Sequence, residues 1–249
     1  MDTADRFEVK MLLNPLQRTG LADAFGARLK PDTEASPNGE YPIVTLYYDT
    51  PDHRSFWDSW RGVGSRRKLR VRVYGSSDGR ISPAVFVEVK HKVDGRGVKR
   101  RLRLGFETAG ALVAGDDGPF RSEFGANRVG QEILGMIHEE RYTPFCVMRY
   151  FRRAYFLEGS EAFPGGEPVR MTFDEGLAVR FSLLELLPDD VRFERSLLDE
   201  GMQILEVKGF GAVPFPVTQV FSSLGLSPGR FSKFRSAFEE FRDKGGEDL

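Results

Sequence analysis

Charged and apolar residues alternate along much of the chain, and the alternation predicts a protein built mainly of half-buried antiparallel strands. Arg6-Phe7-Glu8-Val9-Lys10-Met11 alternates and runs into Asn14-Pro15, a helix-start pair with Asn as cap and Pro at the first helical position. Leu16, Leu21, Ala24, Phe25 and Leu29 fit a short amphipathic helix that Lys30-Pro31 ends. Tyr41 to Asp49 reads as a strand. Three strands follow in meander order, Arg66 to Tyr74, Ala84 to Lys92 and Val98 to Phe106. The turns between them, at 75–79 and 94–97, are short enough to make them antiparallel neighbours. The alternation lapses over 107–140, which Gly115 to Pro119 splits into two helical stretches. Strands resume over Phe145 to Leu157 and Val169 to Phe173. Asp174-Glu175-Gly176 reads as a tight turn into Leu177 to Phe181, and Gln203 to Phe210 is a further strand. Pro214 to Leu224 and Phe231 to Arg242 read as closing helices. The sum is an α+β chain, and with no linker or repeat, residues 1–249 read as a single domain.

Composition closes off several functions. The single cysteine, Cys146, allows no intrachain disulfide and no cysteine zinc cluster, and three histidines leave little for a histidine metal site. No apolar run approaches the roughly 20 residues that span a bilayer, and the N-terminus has no signal-like apolar core. A soluble, cytoplasmic protein without a membrane segment is expected. The net charge of −1 argues against nucleic-acid binding. Its distribution is uneven: Arg61 to Arg103 holds fourteen basic residues against three acidic ones, a local +11 balanced by −12 elsewhere.

Strand periodicity sorts these charges onto faces, because residues i and i+2 point the same way. Arg6, Glu8 and Lys10 share a face. So do Arg66, Lys68, Arg70, Arg72 and Tyr74; Glu88, Lys90 and Lys92; and Lys99, Arg101 and Arg103. Later strands add Arg149, Arg170, Glu206 and Lys208. Solvent faces usually mix signs, since like charges opposed across strands repel. Adjacent faces of one sign favour a bound polyanion, and a closed antiparallel barrel with a cationic lumen is the economical geometry. Arginine supplies planar bidentate contacts to phosphate oxygens and lysine a mobile point charge. Glu8, Glu88 and Glu206 are then either ligands of a divalent cation beside phosphate or partners of the lysines two residues on. Phe56, Trp57 and Trp60 read as packing rather than a base-stacking surface. Tyr47 and Tyr48 fall on opposite faces, so only one can join the charges.

Several segments together resemble a known family. Glu8-Val9-Lys10 is similar to the end of the ExExK signature of triphosphate tunnel metalloenzymes (the CYTH superfamily). Lys10 to Pro15, Leu46 to Asp49, Leu69 to Gly75, Phe86 to Lys90, Val98-Lys99, Val147 to Arg149 with Arg153, Arg170 to Asp174, Leu205 to Lys208 and Phe231 to Phe234 resemble, in order, the polyphosphate polymerase domain of the vacuolar transporter chaperone (VTC) family. The resemblance implies a closed eight-stranded antiparallel tunnel. It implies Arg70, Arg72, Lys90, Lys99, Arg101, Arg149, Arg170, Lys208 and Lys233 as phosphate-binding residues and Lys10 as the catalytic lysine. Glu206, with Glu8, would hold Mn²⁺ or Mg²⁺. The implied activity is metal-dependent transfer of the terminal phosphoryl group of ATP to inorganic polyphosphate. Hydrolysis of a triphosphate on the same fold and non-catalytic polyphosphate binding are the alternatives. Arg6 stands where the signature has its first Glu, and Lys92 stands where VTC members often carry His.

Overall fold

The computed structural model describes residues 6–32, 40–75, 81–94, 96–158, 168–186, 192–193, 195–229 and 231–243. The turn expected at 75–79 falls largely outside them. Two compact units emerge, one formed by residues 1–42, 150–177 and 198–231, the other by 43–149, 178–197 and 232–249.

In the first unit, β1 (Arg6–Leu13) pairs antiparallel with β10 (Gln203–Phe210), and β10 with β8 (Val169–Arg180). The short β2 (Leu29–Pro31) lies along the end of β7 (Thr143–Leu157). Helix α1 (Pro15–Phe25) starts where the sequence places it: the Asn14 side chain accepts from the Gln17 amide at 2.9 Å, and the Gln17 side chain accepts from the Asn14 amide at 3.0 Å. This reciprocal cap satisfies two otherwise orphaned donors. The helix stops at Phe25, earlier than expected, because Leu29 enters β2 opposite Leu157. Met11, Leu13, Met171, Leu205 and Val207, all on one face, pack with Leu21 and Phe25 of α1 and with Val217 and Phe221 of α6 (Phe215–Ser223).

In the second unit, β3 (Glu40–Asp49), β4 (Ser65–Gly75), β5 (Ile81–Val93) and β6 (Arg96–Leu104) form an antiparallel meander. One face is apolar through its centre. Leu46, Leu69, Val71, Val73, Val85, Val87 and Val89 pack beneath α3 (Phe106–Val113), α4 (Gly118–Phe124) and α5 (Arg128–His138) through Leu112, Phe120, Ile133 and Met136. Each such side chain, fully buried, contributes about 1.5–3 kcal/mol. Three helices occupy 107–140 rather than two. A break falls at Gly125, where an added Cβ would lie 2.4 Å from the Arg121 carbonyl, and Asn127 then caps α5. Helix α2 (Arg54–Arg61), not expected from the alternation, packs Phe56 onto Phe238 of α7 (Lys233–Asp243), ring centres 3.8 Å apart.

Two expectations need correction. The tight turn at Asp174 to Gly176 is absent: β8 runs through it unbroken, with Gly176 absorbing the irregularity at φ +60°. Nor do the described strands pair into a closed barrel. Hydrogen-bonded order among the described residues is β1-β10-β8-β7-β3-β4-β5-β6, with β9 (Arg195–Ser196) beside β8, and this order is open, ending at β1 and β6. Strand β6 carries Arg96, Lys99, Arg100, Arg101 and Arg103, and a strand so dense in like charge repels a further partner. Arg100 instead reaches Glu132 of α5, with contacts of 2.5 and 2.7 Å.

Candidate functional site: two charged strand faces

Register turns the polar face of the second unit into a grid. Across β4, β5 and β6, Lys68 is opposite Lys90 and Lys90 opposite Lys99. In the next row Arg70, Glu88 and Arg101 align, and in the next Arg72, Phe86 and Arg103. Seven cations thus surround one carboxylate and one aromatic ring, a local charge of +6. Strand β3 extends two rows, with Tyr47 opposite Arg70 and Thr45 opposite Arg72.

Glu88 occupies the centre and is completely buried. Arg70 grips its Oε2 through Nη2 at 2.6 Å and Nε at 2.7 Å, and the Lys99 ammonium lies 3.6 Å from Oε1. Burial acts to raise the Glu88 pKa, but Arg70, Arg72 and Lys99 outweigh it and hold the group ionised. Glu88 therefore pairs across strands, with Arg70 of β4 and Lys99 of β6.

The arginines are pre-positioned from the β3 side. Arg70 donates to the Tyr47 hydroxyl at 3.3 Å and Arg72 to the Thr45 hydroxyl at 3.1 Å. Tyr47 is buried, which acts to raise its pKa, yet Arg70 and Arg72 bring it down to about 8. Burial also drives Lys68 down to about 8, and its ammonium sits 4.9 Å above the Phe234 ring. Phe234 touches Tyr47 as well, ring centres 5.0 Å apart. Lys233, the first residue of α7, adjoins this corner through the backbone. Arg149 stacks its guanidinium 4.7 Å from the Phe193 ring centre. Trp60 is exposed, with the Arg235 guanidinium 4.0 Å from its ring centre, while Phe56 beside it is buried.

The first unit carries a second charged face. Glu8 is opposite Lys208 and Lys10 opposite Glu206; Lys208 is opposite Arg170 and Glu206 opposite Thr172. The four central residues alternate in sign. Lys10 lies 3.0 Å from Glu8 and 3.8 Å from Glu206, and Lys208 contacts Glu206 closely and Glu8 at 3.8 Å. Burial acts to raise the Glu206 pKa, but Lys10, Lys208 and Arg152 hold it far below the ordinary carboxylate range. The Lys10 carbonyl accepts from the Gly229 amide at 2.7 Å, which ties the strand to the segment after α6. Beside Glu206, the buried Thr172 hydroxyl has no hydrogen-bond partner among the described residues.

Sequence periodicity missed two ion pairs here. Arg152 holds the buried Asp174 bidentately at 2.6 and 2.8 Å. Arg170 is bound at 3.0 and 2.8 Å by Asp32, so a phosphate at Arg170 would compete with that carboxylate. The expected phosphate and metal residues thus divide between two faces: Arg70, Arg72, Lys90, Lys99 and Arg101 on one, Glu8, Lys10, Arg170, Glu206 and Lys208 on the other. Among the described residues no three Asp, Glu, His or Cys side chains gather into a metal cluster.

The class is therefore an α+β protein with an open antiparallel sheet whose polar face is organised as lattices of Lys, Arg and Glu. Residues 5–241 match the family model of the VTC domain, and the chain belongs to that family. Comparison with curated proteins gives no match. Among solved structures, the chain is similar to a "putative adenylate cyclase" of Bacillus halodurans, with 10% identity, 93% of this chain and 96% of that one covered, and a TM-score of 0.49. A second, a "putative adenylate cyclase" of Vibrio parahaemolyticus, has 12% identity, 93% and 97% coverage and a TM-score of 0.42. No helix among the described residues is long and apolar enough to cross a membrane.

Proposed function

We propose that the chain is a metal-dependent polyphosphate polymerase that transfers the terminal phosphoryl group of ATP to inorganic polyphosphate. The observation that carries this reading is the grid around Glu88: seven cations share one strand face with a single carboxylate. Such a face repels itself when empty, and a chain of phosphates relieves that repulsion. Arg70 and Arg72 supply planar donors, while Lys90, Lys99 and Lys68 supply point charges. Membership of the VTC family supports the same assignment.

Phosphoryl transfer to a phosphate oxygen needs no protein nucleophile. Catalysis reduces to in-line positioning and charge neutralisation. Lys10 is assigned to the transferring phosphoryl group, where its ammonium offsets developing negative charge. Glu206 and Glu8 suit a hard divalent ion: both are carboxyl oxygen donors, and the Thr172 hydroxyl beside Glu206, without a hydrogen-bond partner among the described residues, is a further oxygen. Magnesium sites of this kind use one or two carboxylates and take the remaining oxygens from phosphate and water. When bound, Mn²⁺ or Mg²⁺ would neutralise phosphate charge. Lys10 and Lys208 hold the two carboxylates in place until then.

The test is incubation of the purified protein with ATP and Mn²⁺ or Mg²⁺, followed by electrophoretic sizing of phosphate polymers. Long-chain polyphosphate is the expected product. Free orthophosphate alone would make the chain a triphosphate hydrolase. Binding without any turnover would make it a polyphosphate-binding module.

A further inference from the structure

One position of the grid does not suit a phosphate chain. Phe86 stands between Arg72 and Arg103 in a face otherwise made of charges, and it is only half-buried. Its ring meets Tyr74 edge to face, centres 5.9 Å apart at 76°. The exposed Arg101 lays its guanidinium over Phe86 at 4.6 Å, and Arg72 lies 5.9 Å from the Tyr74 ring centre. Two rings and two planar cations thus cluster at one end of the grid, while the lysines Lys68, Lys90 and Lys99 form its other end.

We infer that Tyr74, Phe86 and Arg101 form a stacking platform for a nucleobase, so that the face takes a nucleoside triphosphate with its base at the Tyr74 end and its phosphates toward Arg70 and the lysines. The inference rests on the phosphate-binding reading of the grid. Inorganic phosphate chains use point charges and forked donors and gain nothing from an aromatic ring, whereas a base stacks on both rings and guanidinium planes. Successive side chains on one strand face are roughly 6.7 Å apart. Tyr74 is therefore one step beyond Arg72 and two beyond Arg70, in line with an extended nucleotide. Stacking is tolerant of base identity, so ATP and GTP should bind alike, and both more tightly than their phosphates alone would predict.

The experiment measures dissociation constants of ATP, GTP and inorganic tripolyphosphate at one ionic strength, for the wild-type chain and for Phe86→Leu, Phe86→Tyr and Tyr74→Leu. Phe86→Leu keeps an apolar side chain but removes the π face. It should weaken ATP and GTP about tenfold while leaving tripolyphosphate within about twofold, and Phe86→Tyr should restore nucleotide binding. Tyr74→Leu provides a second variant should Phe86→Leu not fold, and it should shift the same ratio in the same direction. An unchanged ratio of ATP to tripolyphosphate affinity in folded variants overturns the platform while leaving the phosphate site standing. Wild-type protein that binds none of the three ligands overturns the phosphate site and the platform with it.

Discussion

Arg70 clasps Glu88 through two nitrogens, 2.6 and 2.7 Å from one oxygen of a carboxylate that no solvent reaches. The pair does two opposed things. It lowers the repulsion among the surrounding cations in the absence of ligand, and it holds Arg70 against a competitor of the same charge as a phosphate. Breaking a buried ion pair leaves an uncompensated charge and costs about 3–5 kcal/mol. Glu88→Gln keeps the shape and an acceptor for Arg70, so a loss near the low end, about 3 kcal/mol, is expected in denaturant unfolding without ligand. The same variant should bind tripolyphosphate more tightly than wild type, because one negative charge has left the face. Weaker binding would show that Glu88 serves to orient Arg70 for the ligand rather than to neutralise it.

Polyanions should stabilise the fold by mass action. A ligand that binds only the native state adds about 2.7 kcal/mol at a hundred times its dissociation constant. Tripolyphosphate can bridge several grid positions at once, whereas orthophosphate reaches fewer. A clear rise in melting temperature with tripolyphosphate, and a smaller one with orthophosphate at equal ionic strength, is the expected result. Equal shifts would point to a salt effect rather than to a built face.

The strands and their two faces were legible in the sequence because the alternation is nearly strict: Leu69, Val71 and Val73 against Arg70, Arg72 and Tyr74 decide the inside and outside of β4 without further information. Cross-strand register was not. That Glu88 falls between Arg70 and Arg101 depends on hairpin alignment, which the sequence leaves free by even steps. The pair Arg170–Asp32 spans 138 positions, and no local pattern announces such a partner. Helix α2 escaped notice although Phe56, Trp57 and Trp60 line one side of it, because eight residues are too few for a helical period to stand out, and it takes its stability from the tertiary contact of Phe56 with Phe238. Barrel closure was inferred from the repeated cationic faces, yet faces of one sign specify what lies over a sheet and not how its edges end.

The depressed pKa values of Lys68 and Tyr47, both about 8, give stability and binding opposite pH dependences. Unfolded lysine and tyrosine titrate near about 10. Between about pH 8 and 10 the unfolded chain therefore holds more protons than the native one, and these two groups make stability rise with pH. Their contribution is complete above about pH 10 and is lost as pH falls through 8. Binding runs the other way, since a proton lost from Lys68 removes a positive charge from the face and one lost from Tyr47 adds a negative charge to it. Denaturant unfolding of the ligand-free chain at pH 7.5 and 9.5, alongside tripolyphosphate titrations at the same pH values, reads both slopes. The double variant Lys68→Met with Tyr47→Phe should flatten both. Slopes that persist in it would assign the titration to other groups.

Roles in turnover and in binding separate by face. Glu206→Gln keeps the shape of the side chain but removes the charge that a hard divalent ion requires, and it leaves the grid cations untouched. Turnover with ATP and Mn²⁺ or Mg²⁺ should fall by about 10² or more, while polyphosphate binding stays within a few-fold of wild type. Lys10→Ala should behave in the same way, because it takes a positive charge from the transferring phosphoryl group. Arg70→Ala removes a forked donor from the grid and strands Glu88 without its main partner; it should weaken binding and rate together. Steady-state kinetics with equilibrium binding on the same three variants distinguishes these outcomes. Full metal-dependent turnover in Glu206→Gln would move the metal assignment to Glu8 or Glu88, and loss of binding in Lys10→Ala would make that lysine part of the phosphate-holding surface rather than of the transfer step.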